Sequence, residues 1–309
     1  MHSRAAAIAT IACVAAAACW AGNAVVAAGA FAQGISPERL AETRVLVAIV
    51  PLLGYLLAAR RDLLRPPRGV LPVLGAFGIC LVGANWAYYL AIERVPVGVA
   101  ISIQYTAPVL ILAATALAGR RTPPGIIWLA GALTLVGVAL VSGTIGRAEG
   151  GAGLDGIGLA AAVISAVTYA GYLVTAEAAG RRGVHPATTL LSGFVVAAAL
   201  WAVILPVWDW PFELLRNGDL AWRIVGIGLL GTLLPFALTV VAVRWISSAV
   251  AGIATTTEPV LAAILAWIVL NQTLSLPQVI GAALVVAGVL AAQLARHPSP
   301  QATPVEIAP

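Results

Sequence analysis

The chain has 309 residues, 61% of them hydrophobic and only 9% charged, with a mean hydropathy of +1.00. An ordinary soluble domain carries about 25% charged residues, so a soluble enzyme is excluded; a disordered chain, which must be polar, is excluded as well. The net charge of +5 rests on 17 basic residues, all arginine, set in short clusters between apolar runs, a pattern of membrane orientation and not of nucleic-acid binding.

A hydrocarbon core of about 30 Å needs roughly 17 to 25 helical residues. Ten such runs are predicted, giving an all-α polytopic membrane protein. The first five lie near residues 6–28, 40–59, 70–91, 97–118 and 125–143. The second five lie near 157–178, 187–207, 221–243, 248–269 and 277–295. Arg4 before an alanine-rich run resembles a leader peptide, and Ala16 to Cys19 faintly resembles a lipoprotein cleavage site. The apolar stretch continues well past Cys19 with no soluble domain behind it, so a retained first span is expected. Turn and basic signals separate the runs: Arg60-Arg61-Asp62, Pro66-Pro67, Gly119-Arg120-Arg121, a glycine-rich link at Gly150 to Gly158, and Arg181-Arg182-Gly183. Residues 298–309 read as a disordered tail.

Ten spans put eleven arginines (4, 60, 61, 65, 68, 120, 121, 181, 182, 244 and 296) on one side and six (39, 44, 94, 147, 216 and 223) on the other. Both termini are therefore expected in the cytoplasm. Trp201, Trp208, Trp210 and Trp222 flank the outer ends of spans seven and eight, where indoles anchor at the interface.

The two halves repeat at an offset of 149 to 151 residues. Trp20-Ala21-Gly22 matches Tyr169-Ala170-Gly171, Pro37 matches Pro186, and Thr106-Ala107-Pro108-Val109-Leu110 matches Thr257-Glu258-Pro259-Val260-Leu261. Gly131-Ala132 matches Gly281-Ala282. Because five is odd, the second repeat enters the bilayer in the opposite sense, the inverted arrangement on which alternating access is commonly built. The expected units are residues 6–143 and 157–295.

Nothing in the sequence supports covalent chemistry. There is no His-Glu-x-x-His, no phosphate-cradling glycine loop and no usable nucleophile and base in one bilayer plane. Cys13, Cys19 and Cys80 lie inside apolar stretches, and His2, His185 and His297 lie at chain ends or in a loop, so no metal or cofactor is expected. The intramembrane polar groups are more telling. Glu258 is the one acid placed near the middle of a span, where a charge costs about 2.5–3.5 kcal/mol, so it should face the bundle interior. Pro259 frees the carbonyl of Thr255, which hydroxyls at Thr256 and Thr257 are placed to satisfy, and Pro108 repeats the break in span four beside Gln104 and Tyr105. Trp20 with Asn23, Asn85 with Tyr89, and Ser165 with Tyr169 and Tyr172 each share a helix face, while Trp86 and Tyr88 turn elsewhere. Together they suggest a pocket with aromatic walls and a few amides and hydroxyls. Gly75, Gly78, Gly226, Gly228, Gly231, Gly281 and Gly288 read as helix-packing positions. Arg44, at the outer end of span two, is read as structural: it snorkels, or pairs with Glu42 or Glu93.

Two five-helix repeats, Trp20-Ala21-Gly22-Asn23 in span one, Arg44 in span two, and Pro-Val in spans four and nine resemble the EamA-type transporters of the drug/metabolite transporter superfamily. Glu258-Pro259-Val260 is the most specific element. The family usually shows a Glu soon after spans four and nine; Gly119-Arg120-Arg121 and Asn271-Gln272 stand there instead. The resemblance implies a carrier with a central cavity between its repeats, of the branch that exports amino acids or other small metabolites. Two alternatives stay open: a proton-coupled multidrug or quaternary-cation exporter of the same architecture, and a membrane scaffold or sensor without flux.

Overall fold

Apolar composition and the near absence of charge fold the chain into helices that bundle side by side. The computed structural model describes residues 2–118, 123–144, 155–270 and 274–294. The sequence positions 119–121 and 271–272, most of the glycine-rich link and the tail at 298–309 lie outside these residues. Among them are α1 (His2–Phe31), α2 (Pro37–Ala59), α3 (Leu71–Ile92), α4 (Val97–Gln104), α5 (Ala107–Leu117), α6 (Gly125–Val141) and α7 (Gly156–Arg181). There follow α8 (Pro186–Ile204), α9 (Gly218–Gly228), α10 (Leu234–Ala242), α11 (Ser248–Thr255), α12 (Glu258–Leu270) and α13 (Leu276–Leu294). Among the described residues nine stretches are long and apolar enough to cross a membrane, and α6, at 17 residues, is a shorter tenth.

Three of the ten runs are not single regular helices. Span four divides into α4 and α5, span nine into α11 and α12, and span eight passes through a π-helical turn, Leu229–Leu233, between α9 and α10. The first two divisions fall two residues before a proline. The third also lies just ahead of a proline, Pro235 at the second position of α10, whose missing N–H leaves the Gly231 carbonyl without its usual helical donor.

The repeat is visible in local detail. Gly34 (φ 95°) and Gly183 (φ 73°) both close a first helix in the left-handed region that favours glycine. Each stands three residues before the proline that starts the next helix. Ser36 and His185, at matching places, cap α2 and α8 through their side chains. Packing follows the same rule. Span three packs on span six as span one packs on span eight, while spans five and ten, four and nine, and two and seven pair with each other. Exchanging the two halves leaves this set of pairs unchanged.

Contacts between connecting segments sort into two ends. At one end Asn217 donates to Gln33 (2.8 Å), Gln33 to Asp219 (2.6 Å) and Arg39 to the carbonyl of Pro206 (3.2 Å), and Arg94 reaches Asp155 (3.4 Å). At the other, Thr188 donates to the carbonyl of Leu63 (2.8 Å) and the Ser248 amide to Glu177 (2.7 Å). The segments at each end are those that ten crossings would bring there.

Small residues divide by what they touch. A Cβ on Gly78 would meet Val196 at 2.5 Å, on Gly228 Val47 at 2.3 Å, on Gly281 the Gly137 carbonyl at 2.6 Å, and on Gly288 the Ala130 carbonyl at 2.9 Å, so these glycines are held by neighbouring helices. Gly75 and Gly226 face open space and are not packing positions. The tryptophans divide too: Trp208 and Trp222 are exposed, whereas Trp201 is buried in the core and Trp210 donates its indole N–H to Thr43 (2.8 Å).

Candidate functional site

Pro108 and Pro259 stand at the second position of α5 and α12, where a missing N–H leaves no helical bond unmade. The breaks are closed by threonines. Thr106 donates to the carbonyl of Ile103 (2.7 Å), Thr256 to Ile253 (2.6 Å) and Thr257 to Ala254 (2.8 Å). The Thr256 and Thr257 hydroxyls therefore serve carbonyls ahead of Thr255 and not the Thr255 carbonyl itself, because a tight turn folds each back on its own helix. The broken helices meet where Gly252 of α11 faces Pro108; a Cβ there would lie 3.1 Å from the proline ring.

The second break places Glu258 in the first turn of α12, partly buried, at the positive end of a half-helix. A helix terminus contributes about 0.3–1 kcal/mol to an anion, less than the insertion cost of about 2.5–3.5 kcal/mol, so further partners are required. Tyr105 supplies one: its hydroxyl donates to Glu258 Oε2 at 2.5 Å, joining the two breaks across 153 residues of chain. The positive charge of Arg44 is within electrostatic reach. Tyr88, which helical spacing turned away from the site, is also within reach of the carboxylate.

From Glu258 a row of rings runs through the bundle. Tyr105 meets Tyr169 edge-on (6.2 Å between centroids), Tyr169 stacks on Tyr172 (5.8 Å), Tyr172 meets Phe236 (5.4 Å), and Phe236 meets Trp20 (5.5 Å). Tyr89 touches Tyr88 (6.0 Å) instead of joining this row. Helix α7 ties both breaks down: Gln104 donates to Ser165 (2.8 Å), which donates to the Ala84 carbonyl (2.8 Å), and Tyr169 donates to Thr255 (2.9 Å).

Beyond Phe236 lies a narrow pocket between spans two, three, seven and eight, lined by Arg44, Asn85, Trp201, Thr232 and Phe236 among others. In this conformation it leaves no space for a water molecule, so the open central hollow implied by the resemblance is closed here. Asn85 donates to the Leu81 carbonyl (2.8 Å) and Thr232, in the π-helical turn, to that of Ile227 (3.0 Å). Asn23 packs against Gly231 of the same turn, where a Cβ would sit 2.2 Å from its Oδ1, and that oxygen is buried without a hydrogen-bond partner among the described residues.

Arg44 neither snorkels nor pairs with Glu42 or Glu93 as expected. It is buried and makes no ion pair or side-chain hydrogen bond among the described residues; Arg39 holds Glu42 through Oε2 at 2.9 Å, and Glu42 Oε1 is buried without a partner among them. Its place two turns inside α2 was the available signal; Phe236, the meeting point of three aromatic contacts, had none.

A second, wider cavity of about 580 Å³ opens at the end of the bundle bearing the α7–α8 turn, lined by Leu52, His185, Leu190, Ala237 and Arg244 among others. Burial, with Arg60 and Arg244 nearby, lowers the His185 pKa, which keeps its imidazole neutral at pH 7. Among the described residues no three His, Cys, Asp or Glu side chains are grouped to hold a metal.

Known proteins resemble the chain over most of its length. The threonine/homoserine exporter RhtA of Salmonella typhimurium is 28% identical over 243 residues, 77% of this chain and 76% of its own. An uncharacterized transporter of Archaeoglobus fulgidus is 27% identical over 266 residues, 85% and 89% of the two chains. A crystal structure 22% identical in sequence superposes with a TM-score of 0.75 over 93% of this chain and 96% of that one, a likeness of fold alone. The EamA-like transporter family matches residues 7–143 and again 156–292, both repeats, and the chain is a member of that family, a transporter of the drug/metabolite transporter superfamily and not an enzyme.

Proposed function

We propose that the protein exports amino acids or similar small amphipathic metabolites across the inner membrane by alternating access between two inverted five-helix units, residues 6–143 and 157–295. The observation that carries this reading is the Tyr105–Glu258 hydrogen bond, which sets an acid and its partner at the meeting of two broken helices. Solute sites of inverted-repeat carriers lie at such half-helix ends, because the exposed helix termini stabilise charge. The row of rings from Tyr105 to Trp20, with Asn23, Asn85, Tyr89, Gln104 and Thr256 around it, suits a small solute with an apolar body and polar ends. Glu258 recognises its ammonium group. The RhtA relatives, named as threonine/homoserine exporters, agree with this substrate class. The arginine count puts both termini in the cytoplasm, so the wide cavity beside His185 is the inner vestibule.

A second reading is favoured by one feature: the carboxylate sits among tyrosine rings, an environment that also suits a quaternary cation exchanged for protons. Counterflow into reconstituted vesicles separates the two. Labelled threonine or homoserine should exchange; movement of a lipophilic cation with no movement of either amino acid would favour the second. Replacing Glu258 by Gln should reduce amino-acid exchange by roughly ten- to a hundredfold, the worth of a hydrogen bond to a charged group. Unchanged exchange, with unchanged dependence on an imposed pH gradient, would remove Glu258 from the mechanism.

A further inference from the structure

Arg44 is the charged side chain of the narrow pocket, and no hydrogen bond or ion pair commits its guanidinium among the described residues. Its side chain is only 7% exposed, and no carboxylate lies within ion-pair distance among the described residues. Two neutral donors of that wall are turned back on their own helices: the Asn85 amide nitrogen donates to Leu81 and the Thr232 hydroxyl to Ile227. A guanidinium at membrane depth is costly and is retained by pairing. Its planar fork of N–H donors matches a carboxylate in two parallel bonds.

We propose that Arg44 is the anchor for the carboxylate of the transported solute. The proposal rests on the export reading above and deepens it. A free α-amino acid has its carboxylate and ammonium on neighbouring atoms. With the carboxylate on Arg44, the ammonium on the neighbouring atom is left for Glu258, the acid at the second break. The two charges, one from span two and one from span nine, thus select a zwitterion over an amine or a quaternary cation. The π-helical turn that carries Thr232 displaces the backbone of span eight beside this pocket, a place where such turns commonly mark function.

The experiment compares vesicles holding the wild type, Arg44→Gln and Arg44→Lys, each offered labelled threonine and labelled 1-amino-2-propanol, which is threonine without its carboxylate. The wild type should exchange threonine and discriminate against the amine. Arg44→Gln should lose threonine exchange by roughly ten- to a hundredfold while its residual exchange of the amine stays at the wild-type level, and Arg44→Lys should recover part of the loss. Equal loss for both solutes in Arg44→Gln, or undiminished threonine exchange, overturns the proposal. Thermal unfolding of the purified proteins separates this from failure of the export reading. Threonine, homoserine or acetate should raise the melting temperature of the wild type and not of Arg44→Gln, whether or not flux is seen. An equal rise in both proteins, or none in the wild type, overturns the anchor. A wild type that moves no amino acid but is stabilised through Arg44 defeats export alone.

Discussion

Spans four and nine break in the same register, yet one carries a phenol and the other an acid. Gln104, Tyr105, Thr106, Ala107 and Pro108 stand where Thr255, Thr256, Thr257, Glu258 and Pro259 stand in the second repeat. What the breaks share is geometry: a proline at the second helical position and a threonine bonded back to a carbonyl. What they do not share is chemistry. The donor comes from the first repeat and the acceptor from the second, so the site is one object built from both halves. Helices α1 and α7 differ in the same way. Tyr169 hydrogen-bonds to Thr255 as well as stacking, whereas Trp20, at its matching place, touches Phe236 through its ring. Symmetry supplies the frame, and its violations supply the site.

The comparison breaks most sharply if the acid is moved. Glu258→Ala combined with Ala107→Glu puts a carboxylate at the equivalent place in the first repeat. Opposite it would stand Thr256, whose hydroxyl is already spent on Ile253 and which has no phenol to reach across. Exchange of threonine in vesicles should stay at the level of Glu258→Ala alone. Recovery to wild-type rates would mean that the breaks are interchangeable and that the asymmetry carries no function. A smaller effect follows from removing the donor. Tyr105→Phe keeps the ring against Tyr169 and deletes the bond to Glu258. Hydrogen bonds inside membranes average about 0.6 kcal/mol, and those to an ionised partner are about twice as strong, so a loss of about 1.2 kcal/mol is expected in thermal unfolding, accompanied by slower exchange.

Much of this was legible in the sequence, and the reason is periodicity. Apolar runs of bilayer length give the spans, and colinear prolines, glycines and aromatics give the repeat. Glu258, Tyr105 and Tyr169 stood out because polar or phenolic groups inside such runs are few. The contacts they make were not legible, since a bond joining residues 153 apart depends on how two helices cross. The burial of Arg44 was not legible for a physical reason: near a span's end a long basic side chain normally reaches the interface, but α2 here packs on spans seven and eight and closes that route. The π-helical turn at Leu229–Leu233 was not anticipated, although Pro235 just past it was an available signal, because composition alone does not say how a helix absorbs a proline.

The α1–α7 contrast offers the finest test of the comparison. Tyr169→Phe removes a neutral bond to the Thr255 hydroxyl and leaves both ring contacts, to Tyr105 and Tyr172, in place. Thr255 keeps its own bond to the Gly252 carbonyl at 2.8 Å, so the second break remains closed. The loss should therefore be about 0.6 kcal/mol, half that of Tyr105→Phe, with amino-acid exchange little changed. Measured side by side in the same detergent, the two variants rank the contacts. If Tyr169→Phe proved the more damaging, the clamp from α7 would hold the site together more than the bridge between the breaks does. The α7 contact, and not the pair joining the breaks, would then be the asymmetry that positions Glu258.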